Sequence, residues 1–86
     1  MSTMGYIESK LSIYPNPAKN QITISTAASL KNASVSIFDV TGRLVHEKNN
    51  LEGKSNVIDI SNYDSGIYFF EINQSNEFIR AKVIKE

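Results

Sequence analysis

Ile58-Asp-Ile-Ser-Asn-Tyr-Asp-Ser-Gly-Ile-Tyr-Phe-Phe-Glu-Ile72 decides the fold, because it holds two alternating runs joined by a polar corner. Ile58 and Ile60 alternate with Asp59 and Ser61; after the corner, Tyr68, Phe70 and Ile72 alternate with Phe69, Glu71 and Asn73. A period of two is that of a half-buried β-strand. Between the runs, Asn62, Asp64 and Ser65 can hydrogen-bond their own backbone, and Gly66 can take a positive φ that a side chain would penalise. The chain therefore turns here. Tyr68 follows the corner by two residues, where β-sandwiches often place a tyrosine whose ring enters the core and whose hydroxyl returns to a backbone group just upstream.

Downstream, Gln74 to Asn76 reads as a turn, and Glu77 to Lys85 as a last strand with Ile79, Ala81 and Val83 on one face and Phe78, Arg80, Lys82 and Ile84 on the other. Upstream, Val57 to Ile60 is preceded by a polar, glycine-containing loop at Asn49 to Asn56. Arg43 to Glu47 and Ser34 to Phe38 form a hairpin about Asp39-Val-Thr-Gly42, in which Asp39 caps turn amides and Gly42 supplies the left-handed residue. Ala27 to Asn32 reads as a polar connection to Gln21–Thr26, whose Ile22 and Ile24 point inward. Leu11 to Tyr14 is a short strand stopped by Pro15-Asn16-Pro17, a stiff elbow because each proline fixes its φ and lacks an amide donor. Seven short strands with frequent turns and no helical period predict an all-β, antiparallel, immunoglobulin-like β-sandwich with Greek-key connections. A small open barrel is the alternative.

Composition narrows the function. An 86-residue chain makes one domain, expected over residues 9–86 behind a linker at residues 1–8, and buries about 60–65% of its unfolded surface. Without cysteine it has neither a disulfide nor a thiolate metal site, so packing must hold it together. Nine basic residues balance nine acidic ones, which gives no electrostatic drive towards nucleic acid. No apolar run is long enough to span a membrane, and the opening Met-Ser-Thr-Met-Gly lacks the basic and apolar regions of a signal peptide. There is no phosphate-binding glycine loop and no internal repeat.

Catalytic signals are weak. The sole histidine, His46, sits in a strand directly after a hairpin, and serines are so frequent that a chance triad partner is expected. One histidine without cysteine supplies no usual zinc set. Asp59, Asp64 and Glu71 lack the dense spacing of a calcium cage and read as solvated groups or turn caps. No cofactor is expected, and no enzyme activity. Ile67 and Phe69, with Phe78 and Ile84 on the last strand, lie opposite in parity to the core set. They would form an apolar strip beside Arg80 and Lys82, either a protein-binding patch or a surface covered by other parts of the fold.

The order of Tyr-Pro-Asn-Pro17, Asp-Val-Thr-Gly-Arg43, Asp59, Gly66 with Tyr68, and the final Lys-Val-Ile-Lys85 resembles the C-terminal sorting domain of proteins exported by the bacterial type IX (Por) secretion system. The resemblance spans Leu11 to Glu86, and Tyr63 departs from it where a leucine-like residue is expected. It implies a secretion signal at the end of a secreted or cell-surface protein of Bacteroidetes-type bacteria, carried through periplasm and outer membrane. Its partners would be an N-terminal passenger, the outer-membrane translocation machinery and a sortase-like peptidase, with the domain itself monomeric. Carried across, Gly66 and Tyr68 set the fold, while Lys82, Val83, Ile84 and Lys85 form the terminal signal, both lysines contacting the receptor. The competing reading is an adhesive or carbohydrate-binding β-sandwich accessory to a surface enzyme, with Tyr6, Tyr14, Tyr63 and Phe69 as available stacking rings and no tryptophan.

Overall fold

The computed structural model describes residues 11–74 and 77–86, apart from the side chain of residue 77. Five strands follow one another: β1 (Leu11–Tyr14), β2 (Gln21–Asp39), β3 (Leu44–Asp59), β4 (Gly66–Gln74) and β5 (Glu77–Lys85). All strand pairings are antiparallel; β2 lies between β1 and β4, β5 follows β4, and β3 also pairs with β2. The expected linker at residues 1–8 lies outside the described residues.

Five strands replace the seven that the sequence predicts, because two expected connections are themselves strand. β2 runs unbroken through residues 27–32, and β3 through residues 49–56. Polar composition suggested loops there, but each stretch carries one inward peg, Leu30 at 5% exposure and Leu51 at 2%. Around these pegs the β2–β3 register shifts, from Ser25↔Ser55 to Leu30↔Gly53 to Ala33↔Leu51. Asn32, Asn50 and Gly53 take positive φ at the shifts, a conformation that one class of β-bulge uses. The inward parity of β2 changes across the bend, from Ile22 and Ile24 to Ala33, Val35 and Ile37.

Each half of the bent strands joins a different set of neighbours. The first half of β2 pairs with β1 and with the far half of β3; its second half pairs with β4 and the near half of β3. Both halves deliver side chains to one core, where Ile22, Ile24, Val35, Ile37, Phe70 and Ile72 are at most 2% exposed. Residues 60–65 carry the chain from β3, on the first half, to β4 on the second. That corner is anchored at its start, where the Ile60 amide donates to the Asn20 carbonyl, and the Tyr63 amide turns back to the Ile60 carbonyl.

Candidate functional site

The β4–β5 hairpin gathers the residues singled out from the sequence. Gly66 faces Lys85, Tyr68 faces Val83, Ile67 faces Ile84 and Phe69 faces Lys82. Two motifs separated in sequence are therefore one ladder in space.

Its inner face is structural. Tyr68 is 8% exposed, and its hydroxyl donates to the Asp64 carbonyl at 2.7 Å, so the ring closes the corner over the core. Burial raises the Tyr68 pKa above its ordinary value, and the Asp64 and Asp39 carboxylates add to the rise. Tyr63 fills the leucine-like position by packing its ring 5.2 Å from that of Tyr68, and its own hydroxyl is buried without a partner among the described residues. Gly66 adopts φ +149°, and a Cβ built there would meet nothing within 4 Å. Backbone conformation, rather than space, selects glycine.

Lys82, Val83, Ile84 and Lys85 divide by parity. Val83 is buried, and Lys85 is 9% exposed with Nζ donating to the Glu86 carbonyl at 2.9 Å. Lys82 and Ile84 face outward. Of the two lysines expected to meet a receptor, Lys82 alone offers an open side chain; Lys85 belongs to the inward row that begins at Ile79.

Sequence reasoning did not find how the proline elbow uses this strand. Asn16 Nδ2 donates to the Lys82 carbonyl, and the Ile84 amide donates to Asn16 Oδ1, both at 3.0 Å. The Ala18 amide then donates to the Ile84 carbonyl and the Glu86 amide to the Ala18 carbonyl, both at 2.8 Å. A side-chain amide has a donor and an acceptor, so Asn16 stands in for one residue of a strand and Ala18 continues as a parallel bridge to Lys85. The partners lie 66 and 68 residues away, beyond any local pattern. Pro15 and Pro17 flank Asn16 without a donor of their own, and with Lys19, Asn20, Gln21 and Glu86 they line a shallow cleft of about 440 Å³.

The outer face of β4 and β5 is open. Ile67, Ile84 and Phe78 are 38%, 40% and 57% exposed, and the Arg80 guanidinium lies 4.8 Å from the centre of the half-buried Phe69 ring. Arg80 also pairs with Glu71 at 3.6 Å. The strip continues across the sheet, since Phe69 faces Phe38 and Phe38 faces the exposed Leu44. Phe38 could have been found from its parity, opposite to that of Val35 and Ile37. Among the described residues nothing covers this face.

The other motifs serve turns. Asp39 Oδ1 accepts from the Thr41 amide, the Thr41 hydroxyl and the Arg43 amide, and Oδ2 lies 3.4 Å from Arg43 Nε; Gly42 has φ +90°. The Thr41 hydroxyl and the Arg43 amide hold its carboxyl below the ordinary range. Asp59 accepts from the Ser61 amide at 2.9 Å, and that backbone contact lowers its pKa in the same direction. Among the described residues no three potential ligands converge on a metal position, and no helix is long and apolar enough to cross a membrane. Among the described residues the rings considered for sugar stacking are dispersed: Tyr14 lies on β1, Tyr63 packs inward and Phe69 sits under Arg80. Tyr6 lies outside the described residues.

Known proteins match this arrangement at three levels. A solved protein with an immunoglobulin-like β-sandwich fold from Bacteroides vulgatus superimposes with a TM-score of 0.77 at 18% identity, covering 92% of this chain and 87% of that one. An ulvan lyase of Nonlabens ulvanivorans is 32% identical over 73 residues, 84% of this chain and 14% of the lyase. The chain thus spans about a seventh of that relative's length. The family described as the secretion system C-terminal sorting domain matches residues 12–86. With the match running from β1 through β5, the chain belongs to the secretion system C-terminal sorting domain family.

Proposed function

We propose that this domain is a folded export signal, read by the type IX outer-membrane machinery and removed by a sortase-like peptidase as its passenger is released or fixed at the cell surface. The family match gives the class of function. The observation that carries the reading within this chain is the register of the hairpin: Gly66 and Tyr68 lie opposite Lys85 and Val83, beside an uncovered face bearing Lys82, Ile84, Phe69 and Phe78. The inner row holds the ladder in shape and the outer row meets the partner. No reaction is assigned to the domain, which acts as a monomer behind an N-terminal passenger.

The test is a fluorescent passenger with a signal peptide at its start and this domain at its end, in a host with a type IX system and in the same host lacking the translocon. Fluorescence at the surface or in the medium of the first host alone is the expected result. Retention in the periplasm of the first host overturns the reading. The mass of the exported passenger tests removal separately, since a tail still attached would sink the peptidase step.

A further inference from the structure

β5 is an edge strand with two unlike halves. In an antiparallel ladder the amide and carbonyl of one residue point the same way, and alternate residues point to opposite sides. Ile84 directs both groups to the elbow, and Lys82 its carbonyl, so the even-numbered residues of β5 face away from β4. The elbow satisfies this edge from Lys82 onward. Before it, Phe78, Arg80 and the Lys82 amide face outward with no strand beside them among the described residues. This open half is about 16 Å long at ~3.3 Å per residue.

We propose that the open half of β5 binds an extended segment of a partner protein by strand addition, and that the segment alternates apolar with acidic residues. Such a segment takes main-chain hydrogen bonds from the edge and selectivity from its alternate side chains. Its inward side chains would cover Ile79 and Ala81, which the fold leaves half-buried at this edge. Its outward side chains would lie beside Arg80 and Lys82, two cations against, among the described side chains, the one carboxylate of Glu71. A second copy fits worse, because antiparallel β5 strands centred on residue 80 would set Arg80 against Arg80. Asn16 fixes the length of the added strand, since it already takes the Lys82 carbonyl and the Ile84 amide. The proposal rests on the export reading for the biological source of the segment, while its chemistry is testable on the purified chain.

The experiment titrates the 15N-labelled 86-residue chain with a capped seven-residue peptide alternating valine and glutamate, followed by amide shifts and amide exchange. Saturable shifts centred on Phe78, Arg80 and Lys82, with slower exchange at those amides, are expected. N-methylation of the peptide at the residues that face β5 should abolish binding. The double substitution Arg80→Glu with Lys82→Glu should weaken binding about tenfold, and a valine–lysine peptide should recover it. Absence of binding overturns the proposal even where the passenger is still exported, so its failure is distinct from failure of the export reading. Shifts confined to Ile67, Phe69 and Ile84 and insensitive to N-methylation would replace strand addition with docking on the face. Concentration-dependent shifts at the same amides without peptide would mean self-pairing, and would overturn it too.

Discussion

Gly66 and Lys85 stand directly opposite each other at the end of the β4–β5 ladder. The glycine is there for its φ of +149° and not for lack of room, since a Cβ would touch nothing within 4 Å. Gly66→Ala and Gly66→Ser should therefore cost the same, about 1–3 kcal/mol, because both pay in backbone strain. Urea unfolding of the two variants checks this, and a much larger loss for serine would point to a steric cause.

Removal of the Tyr68 hydroxyl isolates one hydrogen bond. Tyr68→Phe keeps the ring over the core and loses the bond to the Asp64 carbonyl, which should cost about 1 kcal/mol. Tyr63→Phe should act in the other direction. The Tyr63 hydroxyl is buried without a partner among the described residues, so its deletion should stabilise the domain by about 1 kcal/mol while the ring pair with Tyr68 persists. Urea midpoints of the two variants should move to opposite sides of the parent.

The Asn16 contact predicts a localised lesion. Asn16→Ala removes a donor to Lys82 and an acceptor from Ile84, at a cost of about 1–2 kcal/mol. Exchange of the Ile84 amide should accelerate at least about tenfold while that of core amides such as Phe70 changes only with global stability. Uniform acceleration of both would show that the elbow contributes nothing local.

Stability should fall at both extremes of pH. Asp39 and Asp59 have folded pKa values below the ordinary 3.8, so their contribution is present above that value and is lost as pH falls through the folded ones. Tyr63 and Tyr68 have folded values above the ordinary 10.0, so theirs is present below it and is lost as pH rises through the folded ones. The urea midpoint should be flat between about pH 5 and 9. In Tyr63→Phe the alkaline fall should shrink and the acid fall should stay.

Features written within a few residues were legible in the sequence. The Asp39–Gly42 hairpin and the Tyr68 corner each depend on partners four residues away or fewer, so residue type and spacing specify them. Alternation likewise placed Ile22, Ile24, Val35, Ile37, Phe70 and Ile72 inside. It failed at residues 27–32 and 49–56, because a bulge shifts the parity on which the pattern depends, and a bent strand then resembles two strands and a loop. Lys85 was readable in principle: it extends the odd-numbered row of Ile79, Ala81 and Val83, but its charge suggested solvent. The pairing of Asn16 with β5 had no sequence signal, since nothing local links an asparagine between prolines to a strand 66 residues on.

Because the elbow near the beginning of the domain grips its final strand, the two regions stabilise each other only after everything between them is in place. A copy damaged in either region would display a frayed hairpin instead of the finished ladder. The closed end of the sheet is thereby a marker of completed folding.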